Sequence, residues 1–580
     1  MELLKTLPAT AQFDIVVVGA GGAGMSAALF AALDGAKVLL VEHTAFVGGT
    51  TAWSAGTTWV PGTHHAAKVN PGDTLKDAAT YLDAAIGEHA APALRQAFLE
   101  NGAAAVKRIE EHTDVQYRPY AKHPDYISDL PGSTLNGRAL EPLPFDGRLL
   151  GHWFSLIRPP IPEFTVLGGM MVDRTDINHL LGMTGSLASL KHSLQIILRH
   201  ACDRLRFPRG TRLVMGNALI GRLLYSLSKQ PHVTLALNTT LEQLGGPDGS
   251  VQSVVIAQNG QPCNVSVQGG VILASGGFNR NAAQRKDKLP GGNEAWCAGA
   301  PGHTGVALEL AQRRGARFSE GGKSHAFWAP VSLRKRADGS TAVFPHFVMD
   351  RAKPGFVTVN QAGRRFVNES TSYHLFGLAM QEAHKTSPCV PAYLVCDAHA
   401  LKKYGMGMVR PGGKGLGPFL ADGYLTKGNT LDELATRLGI NANGLKASVQ
   451  QINTYAQTGV DPDFGRGVTA YQQNIGDAAA GHKNPNIGPL EAGPFYAVKL
   501  YPGDIGASTG LVTDTQARAL NVDGNPIDGL YTVGNDMSSI MGGVYTAPGI
   551  TIGPGLVFGY LAARSAMARC GLASQIATRA

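Results

Sequence analysis

Phe13-Asp-Ile-Val-Val-Val18 runs straight into Gly19-Ala-Gly21-Gly22-Ala-Gly24, and an alanine- and leucine-rich stretch from Met25 to Leu33 follows. A second apolar run, Lys37-Val-Leu-Leu-Val41, stops at Glu42. The pattern predicts a buried strand, a tight turn, a helix and a second parallel strand. This is the dinucleotide fingerprint in its proper strand–turn–helix–strand context. Gly19 makes the turn, Gly21 admits a pyrophosphate, and Gly24 lets helix and strand pack closely, with Gly22 and Ala23 completing the cofactor-facing turn. Glu42 lies where an acid accepts hydrogen bonds from ribose hydroxyls. The fold class that follows is α/β, with a Rossmann-like nucleotide-binding domain.

The next stretch, Val47-Gly48-Gly49-Thr50-Thr51-Ala52-Trp53-Ser54-Ala55-Gly56, argues for FAD rather than NAD. Small residues and hydroxyls just past the ribose acid suit a chain running along a long, non-covalently held flavin. The alternative is a Gly/Ser loop without a ligand. Two distant strand-like segments, Val271-Ile-Leu-Ala274-Ser275-Gly276-Gly277 and Gly529-Leu-Tyr-Thr-Val-Gly534-Asn535, add support, since chain returning from afar to one nucleotide fold is typical of flavoproteins. Near the end stands Met541-Gly-Gly-Val-Tyr-Thr-Ala-Pro-Gly-Ile-Thr-Ile-Gly553. Its glycines let backbone approach a flat ligand. Pro548 suits the first turn of a helix, which Leu556, Val557, Tyr560 and Leu561 continue. Unpaired N–H groups at such a start, near Gly549, Thr551 and Ile552, suit the electron-rich edge of a flavin.

Composition sets the outer bounds. The chain has 580 residues, 44% hydrophobic and 16% charged, which describes a globular protein long enough for more than one domain. A net charge of +8 favours acidic surfaces, but no zinc-finger spacing, RNA-binding signature or basic arm points to nucleic acid. The six cysteines are scattered without a Cys-x-x-Cys, and no His-Glu-x-x-His or other ligand cluster appears, so no metal is expected. The first residues lack a signal peptide's apolar core, and no run of about 18 apolar residues occurs. The expected location is the cytoplasm, with peripheral contact to the inner face of the membrane left open.

That contact concerns residues 149–212. Leu150-Gly-His-Trp-Phe-Ser-Leu-Ile157 is apolar and aromatic. Leu187, Leu190, Leu194, Ile197, Ala201 and Leu205 then recur at helical steps beside Lys191, Arg199, Arg204 and Arg206. Two readings stand: a helix in a lipid or subunit interface, and a core-facing helix with solvated arginines. Residues 74–116 read as helical, and the loop Tyr117-Arg-Pro-Tyr-Ala-Lys-His-Pro-Asp-Tyr126 follows. From about 326 to 505 the pattern changes to strands and short helices, read as an α+β catalytic or capping domain. It is inserted between two parts of the FAD domain, residues 1–325 and 506–580.

The fingerprint, the Val47–Gly56 stretch, Gly363-Arg-Arg-Phe-Val-Asn-Glu369 and the segment from Gly529 to Gly553 together resemble the fumarate reductase-like FAD superfamily. Within it, the chain resembles the 3-ketosteroid Δ1-dehydrogenases over nearly its whole length, apart from an insertion at about 155–208. The resemblance implies a 3-ketosteroid substrate, a quinone or other electron acceptor, and roles for four residues. Asn368-Glu-Ser-Thr-Ser-Tyr373 matches the element whose tyrosine is the base, though Ser372 stands where proline is usual. Pro124-Asp-Tyr126 matches the element whose tyrosine supports that base. Tyr545 and Gly549 match the pair that grips the 3-keto oxygen through a phenol and a backbone N–H. Removal of a proton from C2 and a hydride from C1 would give the 1,2 double bond. A Δ4-dehydrogenase and a fumarate reductase-type enzyme are the alternatives on the same fold. The second needs cations to hold two carboxylates, and none stands around Tyr545.

Overall fold

The computed structural model describes residues 1–348 and 350–572. Thr10–Val18 is a strand, with Ile15 to Val18 buried, and Val38–Val41 lies parallel to it. Gly22–Leu33 is the fingerprint helix, buried at ten of its twelve residues. Its side chains are small and apolar because it has protein on every side. The sheet covers one face, and the C-terminal helix Ile552–Arg569 covers another. The two helices approach closely through small residues: a Cβ on Gly555 would stand 3.1 Å from that of Ala23.

Six strands form the parallel part of the main sheet. Their order is Glu2–Leu4, Val233–Ala236, Val38–Val41, Thr10–Val18, Gln261–Leu273 and Pro526–Thr532. Gln261–Leu273 is long enough to pair twice along one strand. Its first half also carries the antiparallel strands Ser253–Gln258 and Thr239–Gly245. The carboxyl ends at Val18, Val41, Leu273 and Thr532 lie side by side, so the turns after them share one crevice. That is where open α/β sheets bind ligands.

A second sheet is antiparallel and built from Ala326–Lys335, Thr341–Pro345, Phe356–Val359, Ala392–Asp397, Thr426–Gly428 and Phe495–Ala507. Helices Tyr373–His384, Leu431–Leu438 and Ala442–Thr458 pack on it. Phe495–Ala507 is the central strand: it pairs with three neighbours and delivers the chain back to the main sheet.

Two expectations need correction. The C-terminal helix begins at Ile552, so Pro554 rather than Pro548 occupies its first turn. Pro548 lies in the preceding turn. The leucine-rich helix is real, Leu187–Arg204, but its leucines do not face a core. The inward face is Ser193, Ile196, His200 and Asp203, held by polar contacts: Asp203 accepts from the Thr211 N–H and hydroxyl, each at 2.8 Å. Leu187, Leu194 and Leu198 are 85%, 46% and 62% exposed, and Leu205 just beyond is 85% exposed. Periodicity found the stripe; it could not say which side the protein was on.

A Cβ on Gly24 would stand 1.9 Å from the Gly19 carbonyl oxygen, whereas one on Gly21 meets nothing within 4 Å. Gly24→Ala is expected to destabilise the fold by about 1–3 kcal/mol, as overpacking does. Gly21→Ala should stay within about 0.5 kcal/mol of the parent and lose flavin affinity instead. Urea midpoints and the flavin absorbance of the purified proteins measure the two effects separately.

Candidate active site

Around the fingerprint turn, main-chain donors converge on a buried acid. Glu42 Oε2 accepts from the Ala20 N–H at 2.9 Å, and Oε1 accepts from the Thr44 N–H and hydroxyl at 2.9 and 2.7 Å. The Gly48 N–H donates to the Ala20 oxygen at 2.7 Å, and the Gly22 N–H to Thr51 Oγ1 at 3.3 Å. These bonds lay Gly48, Gly49, Thr50 and Thr51 along the turn. The fingerprint helix has no side-chain cap and no acid in its first turn. Its free N–H groups, with open space beside Gly21, fit a diphosphate. The other hydroxyls are already engaged. Thr50 Oγ1 meets His303 Nε2 at 3.2 Å and accepts from the Ala300 N–H at 2.8 Å. Ser54 Oγ donates to the Thr51 oxygen and accepts from the Gly56 N–H, so Ser54-Ala55-Gly56 shapes a turn.

The opposite wall is tied by Asp536. Its carboxylate accepts from the Ser275 N–H, from Ser275 Oγ at 3.0 Å and from the Gly277 N–H at 2.7 Å. The turn at Ala274, Ser275 and Gly276 is thereby joined to Gly534 and Asn535. A cleft lies there, lined by Phe327, Gly534, Asn535, Thr551 and Gly555. It sits at the uncapped start of the C-terminal helix, beside Ile552.

Tyr126, Tyr373 and Tyr545 come together in one buried cluster. Ring centroids are 5.5 Å apart for Tyr126 and Tyr373, 5.0 Å for Tyr373 and Tyr545, and 5.7 Å for Tyr126 and Tyr545, the last pair stacked. Each ring arrives on a separately anchored segment. Asp125 accepts from Trp59 Nε1 at 3.0 Å and Arg138 at 2.9 Å, and the Tyr126 N–H donates to the Thr546 oxygen at 2.8 Å. Tyr373 opens its helix, capped by Ser372 Oγ, which accepts from the Leu375 N–H at 3.3 Å. Serine therefore does at this position what a rigid proline does elsewhere: it sets the helix start. Gly549 adopts φ +88°, and a Cβ there would stand 2.4 Å from the Thr57 oxygen. Its N–H has no acceptor among the described residues. Burial pushes Tyr126 and Tyr373 well above the ordinary phenol range and raises Tyr545.

Residues 14–552 match the family described as FAD binding domain. A 4-oxocyclohex-2-ene-1-carboxylate 5-dehydrogenase of Sinomonas cyclohexanicum is 38% identical over 96% of this chain and 94% of its own. A 3-oxosteroid 1-dehydrogenase of Mycobacterium tuberculosis is 35% identical over 95% of this chain and 98% of its own. The crystal structure of 3-ketosteroid Δ1-dehydrogenase from Sterolibacterium denitrificans, in complex with 1,4-androstadiene-3,17-dione, superposes with a TM-score of 0.89. It is 34% identical and covers 96% of this chain and 100% of that one. The chain belongs to the 3-oxosteroid 1-dehydrogenase family of FAD-binding flavoproteins. The free N–H groups at the fingerprint helix and the cleft at the C-terminal helix fit the cofactor of that family.

Several residues around this flavoprotein site were not foreseen. Asp536 follows Gly534-Asn535 and signals nothing by itself. His303 stacks its ring over Gly276, and burial drops its pKa to about 3, so it is neutral. Phe327 packs on Tyr545 at 5.1 Å, and Tyr471 lies 4.7 Å from Tyr126. None carries a local motif; only the fold brings them in. His64, His65 and Glu110 also bring three ligand atoms within 4.8 Å of one another, a grouping that the sequence did not suggest. His65 and Glu110 satisfy each other directly at 2.9 Å.

Asp536→Ala leaves two buried N–H groups and a hydroxyl unpaired, each costing about 1–3 kcal/mol. The expected result is a protein that purifies with little flavin and unfolds at lower temperature. Absorbance at the flavin band and a thermal melt check it.

Proposed function

We propose that this chain introduces the 1,2 double bond into 3-ketosteroids, with Tyr545 and Gly549 holding the ketone and Tyr373 taking the C2 proton. The convergence of three buried phenols and one free main-chain N–H carries the reading. A hydrogen next to a ketone is weakly acidic, so its removal builds charge on oxygen. The Tyr545 hydroxyl and the Gly549 N–H are fixed donors for that oxygen, and such donors stabilise the developing charge without reorganising. Tyr126 hydrogen-bonds Tyr373 as the proton arrives. The surrounding aromatic walls of Phe327 and Phe347 exclude water. FAD, when bound, supplies the acceptor for the C1 hydride. The segment of residues 326–505 closes over the substrate, since it carries Tyr373 to the two tyrosines on loops outside that segment.

The 38% relative supports a second reading in which the substrate is a single-ring keto acid. Both readings share the same step, loss of vicinal hydrogens beside a ring ketone. Steady-state assays with 4-androstene-3,17-dione and with 4-oxocyclohex-2-ene-1-carboxylate separate them: the true substrate class has the higher kcat/KM. Tyr373→Phe is expected to lower kcat by about 10²–10⁴ with little change in KM. Tyr545→Phe should cost about 10²–10³. Full activity of Tyr373→Phe rejects the assignment of the base.

The acceptor in this reading is a quinone or a comparable lipid-soluble oxidant, and the ridge of Leu187, Leu194, Leu198 and Leu205 is the membrane contact. No described helix is long and apolar enough to cross a membrane. Lys191 and Arg204 flank the ridge at the level of lipid headgroups. Flotation on anionic liposomes is expected for the parent protein and lost on replacing Leu187, Leu194 and Leu198 together by Gln. Equal recovery of the two proteins in the soluble fraction rejects the contact.

A further inference from the structure

His64 and His65 stand side by side just ahead of the short helix Ala66–Val69, and Glu110 lies in the last turn of the helix Pro92–His112. Both imidazoles aim the same nitrogen at the same carboxylate oxygen. His65 Nε2 is 2.9 Å from Glu110 Oε2, and His64 Nε2 is 3.3 Å from it. The two rings are 4.0 Å apart between centroids. The side chains of His65 and Glu110 are nearly buried, while that of His64 is 45% exposed and opens the group to solvent. The bond between His65 and Glu110 explains two members of the group. It does not explain why a second imidazole converges on the same oxygen.

The spacing is that of a coordination shell. Bonds of about 2.0–2.1 Å from a tetrahedral ion to histidine nitrogen and carboxylate oxygen set neighbouring ligand atoms about 3.3 Å apart. The separations from Glu110 Oε2, 2.9 and 3.3 Å, are close to that edge. Two imidazoles and one carboxylate suit a zinc-type ion, whereas Mg²⁺ and Ca²⁺ take oxygen ligands. The carboxylate is also held from behind, as metal ligands are: Glu110 Oε1 accepts from the Tyr117 N–H at 2.9 Å. Lys68 and Glu111 near His64 carry opposite charges, so Glu110 sets the net charge of the group.

We propose that His64 Nε2, His65 Nε2 and Glu110 Oε2 form a binding site for one zinc-type divalent ion, with water completing its coordination. The ion takes the place of the hydrogen bond between His65 and Glu110. The proton held between that pair leaves to solvent, and both atoms turn their lone pairs to the metal. The role is structural. His64 and His65 follow the strand Thr58–Trp59, and Glu110 precedes the strand Tyr117–Pro119. These are the two outer strands of one three-stranded sheet, with Ala139–Pro142 between them. The ion therefore clamps the chain leaving one outer strand to the chain entering the other. The sheet so secured carries Trp59, whose Nε1 donates to Asp125 beside Tyr126 at 3.0 Å and whose N–H donates to the Gly549 oxygen at 3.2 Å. The site is independent of which ketone the enzyme takes.

The test uses the full-length, flavin-loaded protein, freed of metal by a chelator and then dialysed. Calorimetric titration with ZnCl₂ and thermal unfolding with and without Zn²⁺ are run beside MgCl₂ as a control. The expected result is one Zn²⁺ per chain and a higher unfolding midpoint, because an ion that binds only the folded state stabilises it. Mg²⁺ should give neither. Loss of an outer partner of a metal site costs about 10–100-fold in affinity, so His64→Ala, which removes a ligand, should cost at least about 100-fold. That exposed substitution should leave the metal-free midpoint and the activity at the parent values. With Cu²⁺ in place of Zn²⁺, the electron paramagnetic resonance spectrum should show two coordinated nitrogens in the parent and one in His64→Ala. If the parent binds no Zn²⁺ in large excess, the group is a hydrogen-bonded pair only and the proposal fails. If His64→Ala binds Zn²⁺ with the parent affinity, the ion sits elsewhere and the proposal fails again. Should that variant prove unstable, the copper spectrum of the parent decides, and a signal without two coordinated nitrogens overturns the proposal.

Discussion

Two buried carboxylates that accept main-chain N–H groups hold this site together. Glu42 joins the turn after the first strand to the chain after the second, and Asp536 joins the chain after Leu273 to the chain after Thr532. Charge-assisted bonds of this kind are short and strong, and they are made between segments that the sequence separates widely. Without them, four glycine-rich turns would be free loops at the end of a sheet. With them, the turns become the walls of one crevice, and the starts of two helices that lack an N-cap side-chain bond open onto it.

The second unit brings in a different resource. Its buried pairs, Arg365 with Glu369 and Asp461, and Arg466 with Glu369, hold the segment before Tyr373 rigidly enough to present a phenol. The loops that carry Tyr126 and Tyr545 supply the other two rings. Chemistry on a ketone needs donors where charge develops and a group to receive a proton. Phenols in a dry cluster can do both, because each is a donor and an acceptor at once.

The helix Leu187–Arg204 shows the limit of pattern reading. Leucines at steps of three, four and seven define a stripe, and arginines define its flanks. Which side packs against the protein was decided instead by Asp203 and His200, whose polar atoms find partners inward, and by Ile196, which joins Met170 and Val172 in a small core.

The sequence by itself determined the nucleotide fold, since alternation, glycine spacing and a terminal acid are local signals over some thirty residues. It also marked Tyr126, Tyr373, Tyr545 and Gly549, each by a short element resembling those of a known family. Tertiary structure alone decided that Phe327 and Tyr471 stand beside these tyrosines, and that His303 and Asp536 join the turns of the crevice. Their positions depend on which strands pair and which helix ends meet, and contacts between residues hundreds apart leave no trace in local periodicity.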